Sequence, residues 1–375
     1  MNRVKYTQQS QRWIVKIGSA LLTQDGKGLD YASIADWAYQ IAELRQQGIE
    51  IVLVSSGSIA EGMSRMGWTK RPTALPELQA AAAIGQTGLI QAYQTEFQKY
   101  QIQAAQILLT HDDVSHRLRY INARNTLRTL IRLGTVPIIN ENDTVSFEEI
   151  RLSDNDALGA VASSLVEADL LVILTDQKGL FTKDPRTHND AEFISEGLAM
   201  NPDFVSYAGS AGSAISRGGM ATKVQAARVA AKAGCATVIV SGREESVLTR
   251  LRAGESLGTL LVPEATKLAA RKLWIAGQNQ ARGTLHLDAG AVAALKMQGK
   301  SLLPVGVESC TGKFNRGDRV NCLDPDGRII ARGLCNYSAV DVSKICKLPS
   351  DSIPSVLGRM DEKELIHRDN LVLED

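Results

Sequence analysis

Short apolar runs alternate with longer amphipathic segments over the first 262 residues of the chain. The runs predict buried strands at 13–17, 49–54, 104–109, 136–139, 170–174 and 237–240, and the segments between them predict helices, among them 77–99, 117–133 and 219–233. Strands separated by helices favour right-handed crossovers and a mainly parallel sheet with helices on both faces. The pattern therefore predicts an α/β fold, a three-layer αβα sandwich, for residues 1–262.

Local signals predict where some of these elements begin and end. Ser33 is expected to open the first long helix, with Asp36 as its capping-box partner, and Gly48 is expected to end it. Residues 196–217 are rich in Gly and Ser, and we expect them to form a mobile segment.

The character of the chain changes near Pro263. Residues 263–281 lack a strong periodicity and are expected to form a linker. Beyond them, short strands separated by glycines are expected at 284–287, 302–307, 319–323 and 328–334, with Asp326-Gly327 as a hairpin turn. Residues 282–360 are therefore predicted to form a small β-rich domain, followed by a C-terminal tail at 361–375.

Composition narrows the class of protein. The 42 basic residues nearly balance the 41 acidic ones, so no overall charge favours nucleic acid or a membrane surface. Five cysteines are scattered without a Cys-x-x-Cys pair, which favours reduced thiols and a cytoplasmic location. The polar segment 1–11 lacks an apolar signal core, and no apolar run approaches the roughly 20 residues of a membrane span.

Polar side chains are concentrated where the predicted strand at 136–139 ends. Asn140-Glu141-Asn142-Asp143 follows the strand, and Asp154-Asn155-Asp156 precedes the next helix. In an open α/β sheet, ligands bind outside the carboxyl ends of the strands. Carboxylates and amides at this density suit an ammonium group, a divalent cation, or lysines that need orientation. The alternative is a solvated loop whose Asp and Asn side chains cap a helix.

Other strand ends carry candidate anion-binding groups. Lys16 lies in an apolar strand, where it suits a phosphate, although a lysine at a sheet edge can also reach solvent. The run 55–58 follows a strand and suits an anion, or simply caps a helix, and the pair Thr175-Asp176 suits a nucleotide, although many α/β proteins end strands this way. The run 217–223 places glycines before Lys223, as in a phosphate loop, but without Walker A spacing. Together these ends predict a site for two anionic ligands and a metal ion.

These runs resemble the amino-acid kinase family. Six of them occur in that family's order within residues 12–262, at 15–18, 54–60, 139–143, 154–156, 174–180 and 218–223. The pair Asn-Glu-Asn-Asp and Asp-Asn-Asp narrows the resemblance to the branch that phosphorylates glutamate. The segment after Arg282 resembles the PUA domain that many bacterial members carry. Ser216-Arg217 departs from the family pattern, which has a Gly and then a Ser or Thr before Gly-Gly-Met.

The resemblance implies transfer of a phosphoryl group from ATP to the γ-carboxylate of L-glutamate, the first step of proline synthesis. By this resemblance, Ser56, Asp143 and Asn155 bind glutamate. Lys16 and Lys223 meet the phosphates as catalytic groups, and Asp156 organises both lysines. The implied ATP-binding residues are Lys16, Thr175, Asp176, Arg217, Gly218, Gly219, Met220, Ala221, Thr222 and Lys223. No residue is assigned as a metal ligand, because Mg²⁺ is expected to be held mainly by the ATP phosphates and water.

The chemistry of this reaction agrees with the residue types. A glutamate side chain has an unperturbed pKa of about 4.3, so at pH 7 it is already a nucleophilic carboxylate and needs no general base. Catalysis then rests on positioning and on neutralising charge.

The resemblance also implies L-proline as a feedback inhibitor, a homo-oligomer, and glutamyl-phosphate reductase as a partner. Two alternatives are a kinase that acts on another carboxylate or phosphate acceptor, and an RNA-binding role for the small domain. Residues 282–360 are not conspicuously basic and show no series of stacking aromatic residues, which argues against RNA binding.

Overall fold

The computed structural model describes residues 3–23, 28–145, 155–209, 219–266, 268–269, 272, 281–360 and 362–374. Contacts divide the chain into two units, Met1–Ala265 and Thr266–Asp375, each with its own sheet. In the described part of the chain, no helix is long and apolar enough to cross a membrane.

One sheet of eight strands forms the centre of the first unit. The strands are β1 (Arg12–Ile17), β2 (Glu50–Ser55), β3 (Ala104–Leu109), β4 (Val136–Glu141), β5 (Leu170–Thr175), β6 (Glu196–Leu198), β7 (Ala236–Ser241) and β8 (Thr259–Val262). Their order is β3-β4-β2-β1-β5-β7-β8-β6, and each neighbouring pair is parallel except β7 and β8. The carboxyl ends of the central strands therefore meet at one edge of the sheet.

Helices cover both faces of this sheet. They are α1 (Arg3–Thr7), α2 (Ser19–Leu22), α3 (Tyr31–Gln46), α4 (Ser58–Arg65), α5 (Leu75–Gln98), α6 (His111–Ser115), α7 (Arg117–Arg132), α8 (Asn155–Val166), α9 (Asp203–Tyr207), α10 (Met220–Lys232) and α11 (Val247–Arg252). Alternate residues of β1 belong to different cores, because successive strand side chains point to opposite faces. Trp13 packs in the core that contains α3 and α5, whereas Ile14 packs in the core that contains α8 and α10. The predicted three-layer αβα sandwich is confirmed.

The predicted start of the first long helix is wrong. The helix begins at Tyr31, and the Asp30 side chain caps it by accepting a hydrogen bond from the Ser33 N–H at 3.1 Å. Asp36 instead accepts a hydrogen bond from the Gln40 side chain. Tyr31 is 55% exposed, so the residue that begins the helix does not belong to the apolar stripe that marks the helix in the sequence.

The Gly- and Ser-rich segment predicted at 196–217 is only partly described. Its first part contains β6 and α9, and residues 210–218 lie outside the described residues. The short strands β6 and β8 were not predicted from the sequence. β8 runs antiparallel to β7, and β6 pairs with β8 to complete the edge of the sheet.

A five-stranded sheet and three helices form the second unit in the described residues. The strands are β9 (Gly283–Leu287), β10 (Val307–Gly312), β11 (Arg319–Leu323), β12 (Ile329–Leu334) and β13 (Leu371–Leu373), in the order β10-β9-β11-β12-β13. The helices are α12 (Ala289–Gln298), α13 (Ala339–Ile345) and α14 (Ile353–Leu357), with short 3-10 helices at Pro304–Gly306, Ser350–Ser352 and Arg368–Asn370. The predicted hairpin turn is confirmed, since β11 and β12 are antiparallel and Gly327 has a φ of 81°.

Two predictions for the second unit are wrong. The strand expected at 302–307 is a 3-10 helix over Pro304–Gly306, because Pro304 lacks the N–H that a strand ladder requires. The tail expected at 361–375 contributes Ile366 to the core and Leu371–Leu373 to the sheet, where it pairs with β12. Most of the linker expected at 263–281 lies outside the described residues.

Candidate active site

A cavity of about 1050 Å³ opens at the carboxyl ends of β1, β2, β4 and β5. Most of the described residues that the sequence singled out line it, namely Lys16, Ser56, Asp143, Asn155, Thr175, Asp176, Gly219, Met220, Thr222 and Lys223. Ala221 lies in the first turn of α10 without lining the cavity, and Asp156 lies buried behind it. Arg217 and Gly218 lie outside the described residues. Residues from six separate segments of the chain therefore share one cavity.

Two lysines share one carboxylate at the bottom of this cavity. The Lys16 Nζ lies 2.6 Å from Asp156 Oδ1, and the Lys223 Nζ lies 3.0 Å from Asp156 Oδ2. Thr222 donates its hydroxyl to Asp156 Oδ2 at 2.8 Å. The Asp156 side chain is fully buried, and the two lysines are 5% and 4% exposed. The net charge of the three ionised groups is positive, which suits an anionic ligand.

The fold explains why this cluster forms. Lys16 belongs to β1, which lies between β2 and β5, so it is not a lysine at a sheet edge. It shares the strand face of Ile14 and points towards α8, where its aliphatic stem lies beside Gly159. Asp156 lies in the first turn of α8, where the helix dipole favours a carboxylate.

The ion pairs control the charge of Asp156. Burial alone would raise the pKa of this carboxyl, but the ammonium groups of Lys16 and Lys223 outweigh burial and hold the pKa below its usual value. Asp156 is therefore an anion at neutral pH. It orients the two ammonium groups from behind, while both lysines line the cavity.

A second cluster is built from side-chain amides. The Asn155 Nδ2 donates towards Ser55 O at 3.0 Å, Ser56 Oγ at 3.0 Å and Asn140 Oδ1 at 2.9 Å. Asn140 in turn donates from Nδ2 to Gln86 Oε1 at 2.7 Å. This network joins the end of β2, the end of β4 and the start of α8. Asn140 and Gln86 were not among the predicted site residues.

Asp143 lies near the amide cluster, in the loop after β4. It accepts a hydrogen bond from the Ser58 hydroxyl at 3.2 Å. Burial raises the pKa of Asp143 to about 6, and the Ser58 hydrogen bond and the charge of Arg71 only partly oppose this shift. A cationic ligand beside Asp143 would supply the charge that favours its ionised form.

The far end of the cavity is formed by the end of β5 and the loop after it. Thr175 donates its hydroxyl to the Asp176 carboxylate at 3.1 Å, and both residues line the cavity. Several basic residues that the sequence analysis did not select also line it, among them Arg71, His111, Lys183 and Arg186. Arg71, Lys183 and Arg186 lie between regular elements and His111 begins the short helix α6, so neither periodicity nor a strand-end pattern marks them.

The mainly parallel sheet and the buried lysines at its carboxyl edge describe an α/β protein with a positively charged cavity, and family models identify its class. Residues 11–241 match the model of the amino acid kinase family, and residues 283–357 match that of the PUA domain. The chain therefore belongs to the amino-acid kinase family and carries a PUA domain.

Individual relatives are similar over nearly the whole chain. The glutamate 5-kinase of Thioalkalivibrio sulfidiphilus (strain HL-EbGR7) is 60% identical over 365 residues, which cover 97% of each chain. The glutamate 5-kinase of Ectopseudomonas mendocina (strain ymp) is 60% identical over 364 residues, covering 97% of this chain and 98% of that protein. The crystal structure of UMP kinase from Bacillus anthracis gives a TM-score of 0.47 at 16% identity, covering 68% of this chain and 97% of that one.

Proposed function

We propose that this protein transfers the γ-phosphoryl group of ATP to the side-chain carboxylate of L-glutamate. The product is L-glutamyl 5-phosphate, and the reaction is the first step of proline biosynthesis. The observation that carries the proposal is the pair of buried lysines, joined through Asp156, in the same cavity as an amide cluster and a carboxylate. The names of the relatives that are 60% identical support glutamate as the substrate.

Glutamate is proposed to bind at the ends of β2 and β4. Asp143 would accept hydrogen bonds from the substrate ammonium group, and Ser56 and Asn155 would fix its orientation. A ligand ammonium group near Asp143 would lower the raised pKa of this carboxyl, so binding of the cation and ionisation of Asp143 favour each other. This coupling would favour an amino acid over a plain dicarboxylate.

ATP is proposed to bind between β5 and the start of α10. Thr175 and Asp176 would contact the nucleoside, and residues 217–223 would contact the phosphates, with Lys223 supplying charge. Mg²⁺ would enter with ATP and add positive charge at its phosphates. The carboxylate of Asp176 lines the cavity and is an oxygen donor of the type that Mg²⁺ accepts, so the lining fits such a complex.

The proposed step needs no general base. An oxygen of the γ-carboxylate, already ionised because its usual pKa is about 4.3, forms a bond to the γ-phosphorus. The bond between that phosphorus and the bridging oxygen breaks, and ADP leaves with the electron pair. Lys16 and Lys223 would stabilise the negative charge of the transferring group, and Asp156 would hold both lysines in place.

L-Proline is proposed as an inhibitor at the same site. It carries an α-carboxylate and a cationic nitrogen with two N–H donors, so it can satisfy Asp143 without presenting a nucleophile to ATP. A homo-oligomer and a reductase that accepts the acyl phosphate remain part of the proposal.

The decisive experiment traps the acyl phosphate. Protein, ATP, Mg²⁺ and glutamate are incubated with hydroxylamine, and the γ-hydroxamate is measured together with ADP. Aspartate and N-acetylglutamate serve as alternative acceptors. We expect hydroxamate with glutamate and little ADP release with the other two. An active preparation that releases ADP preferentially with another acceptor would contradict the proposal.

A further inference from the structure

The amide cluster beside the proposed glutamate site extends away from the cavity to Gln86, a residue on α5. Gln86 does not line the cavity, and it is 9% exposed. Its Oε1 accepts a hydrogen bond from Asn140 Nδ2 at 2.7 Å, and Asn140 Oδ1 accepts one from Asn155 Nδ2 at 2.9 Å. Three buried amides from α5, β4 and α8 thus form a chain that ends at a residue lining the cavity.

Backbone groups at both ends fix the direction of every hydrogen bond in this chain. The main-chain N–H of Glu141 can only donate, and it donates to Asn140 Oδ1 at 2.9 Å. Asn140 must therefore direct its NH₂ group towards Gln86, whose carbonyl oxygen accepts. At the other end, the main-chain carbonyl of Ser55 can only accept, and it lies 3.0 Å from Asn155 Nδ2. The Asn155 NH₂ group therefore faces the protein.

This orientation determines what Asn155 offers to a ligand. Its two N–H donors are directed at three protein acceptors, namely Ser55 O, Ser56 Oγ and Asn140 Oδ1. The Asn155 side chain lines the cavity, so its remaining polar atom, the Oδ1 carbonyl oxygen, is the one available there. A carbonyl oxygen accepts hydrogen bonds from an ammonium group and offers nothing to a carboxylate.

We propose that Gln86 is a positioning residue for substrate recognition: it anchors Asn140, which holds Asn155 with its carbonyl oxygen towards the substrate ammonium group. This inference rests on the proposed function. Without an acceptor at position 86, the Asn140 NH₂ group would be buried with its acceptor missing. Asn140 would then turn away to find another acceptor and would release Asn155, because a buried donor without a partner is costly.

The packing of α5 supports a role that is more than space filling. Gly85 lies against the first turn of α4, where an added Cβ would come within 1.8 Å of Ser58 O, so the α5 backbone touches the segment that follows Ser56. Tyr93 lies two turns after Gln86, and its hydroxyl lies 3.1 Å from Ser55 Oγ. The same face of α5 therefore makes one polar contact with Asn140 at the end of β4 and one with Ser55 at the end of β2.

The second polar atom of the Gln86 side chain, Nε2, also bears on the role of this residue. Its Nε2 is buried without a hydrogen-bond partner among the described residues. An apolar side chain of similar size would avoid that cost but would leave the Asn140 NH₂ group without its acceptor, so what glutamine contributes at this position is its carbonyl oxygen.

Two substitutions separate an acceptor role from space filling. Gln86→Met keeps the approximate shape but removes the acceptor, and we expect the KM for glutamate to rise about tenfold or more, with the KM for ATP unchanged and kcat within about twofold. Gln86→Glu keeps an acceptor oxygen, and we expect the KM for glutamate to stay within about threefold of wild type. If Gln86 only filled space, the opposite result would be expected. Gln86→Met would then keep the KM for glutamate near that of wild type, and Gln86→Glu would raise it, because a buried carboxyl is costly.

Gln40→Met is the matched control. Gln40 is a buried glutamine on α3 whose Oε1 accepts a hydrogen bond from the Leu248 N–H at 2.8 Å, far along the chain from the amide cluster. Its loss should lower the melting temperature and leave the KM for glutamate unchanged. In an Asn155→Ala background, Gln86→Met should add little to the KM, since its effect acts through Asn155.

An unchanged KM for glutamate in Gln86→Met, or an equal rise in the Asn155→Ala background, overturns the inference. If Gln86→Met does not fold, Gln86→Glu still tests the inference. A tenfold rise in the KM for glutamate in that folded variant overturns the positioning role of Gln86, and a retained KM supports it. Absence of hydroxamate from the wild-type protein overturns the proposed function and this inference with it. An active wild type with an unchanged Gln86→Met variant overturns the inference alone.

Discussion

Replacement of Asp156 by asparagine tests the central ion cluster most directly. The substitution keeps the size of the side chain but removes the negative charge between Lys16 and Lys223. The Asp156 carboxylate oxygens lie 2.6 Å and 3.0 Å from the two ammonium nitrogens, and all three side chains are at most 5% exposed. Asp156→Asn would therefore leave two buried ammonium groups close together without their shared counter-charge.

The expected loss of stability is large. Removal of one partner of a buried ion pair costs about 3–5 kcal/mol, mainly because the other charge is left uncompensated. Since domains are stable by roughly 5–15 kcal/mol, this is a substantial part of the total. At roughly 2–4 °C per kcal/mol for a domain of this size, the melting temperature of the first unit should fall by about 6–20 °C.

The assay is thermal and urea denaturation of wild type and variant at pH 7, with and without ATP and Mg²⁺. In the proposed binding mode, the triphosphate of ATP lies beside the two lysines and supplies a new counter-charge. The nucleotide should therefore recover part of the stability that Asp156→Asn loses. The pKa of Asp156 is depressed in the folded protein, so its stabilisation is complete above the unfolded value of about 4 and decreases only as pH falls below that value. The difference between the proteins should therefore be constant from pH 6 to 8.

Glu96→Gln is the matched control. Glu96 forms an ion pair with Lys99 at 2.6 Å, the same length as the Lys16–Asp156 pair, but the Lys99 side chain is 56% exposed. Solvent screens such a pair, and its loss should cost less than about 1 kcal/mol. If Asp156→Asn destabilises the protein no more than Glu96→Gln does, burial of the charge cluster does not have the energetic role assigned to it.

Four further predictions concern activity. Lys16→Ala and Lys223→Ala should each lower kcat by about 10²-fold or more with a smaller effect on KM, and near-normal kcat in both would remove these lysines from the mechanism. Because burial raises the pKa of Asp143 to about 6, the KM for glutamate should rise as pH falls through about 6 and be level above it, and Asp143→Asn should abolish this dependence. Proline should compete with glutamate in an initial-rate grid, and Asp143→Ala should weaken both ligands by about 2–5 kcal/mol; inhibition that persists at saturating glutamate would contradict a shared site. A chain that ends at Ala265, the last residue of the first unit, should fold and phosphorylate glutamate, and a soluble but inactive product would show that the second unit belongs to the catalytic machinery.

Periodicity predicted the first sheet well because most of its strands are buried on both faces. β5 and β7 are buried at every position, so each forms an apolar run that ends abruptly in polar residues. The same physics predicted that those polar ends would meet at one edge of the sheet, and the cavity opens there. Lys16 is the clearest example, because a lysine inside a buried strand requires a partner, and Asp156 provides it.

Elements whose stability depends on distant contacts could not be predicted in this way. β13 has three residues and is ordered by pairing with β12, nearly 40 positions earlier in the chain. β6 also has three residues and depends on β8. Segments this short carry too few residues for a periodic pattern, and their pairing partners are not encoded locally.

The amide chain was beyond sequence analysis for a different reason. Asn140 was visible as part of a polar strand end, but its partner Gln86 is 54 positions away in a helix of mostly small and apolar residues. From the sequence alone, a glutamine in this helix is expected to face solvent. In the fold, Gly62 and Gly85 let α4 and α5 meet at backbone distance, and Gln86 of α5 accepts a hydrogen bond from Asn140 at the end of β4. In the proposed site, recognition of the substrate ammonium group would depend on a close helix contact that no single stretch of the sequence reveals, and for this reason Gln86 should respond to substitution in glutamate affinity more than in catalytic rate.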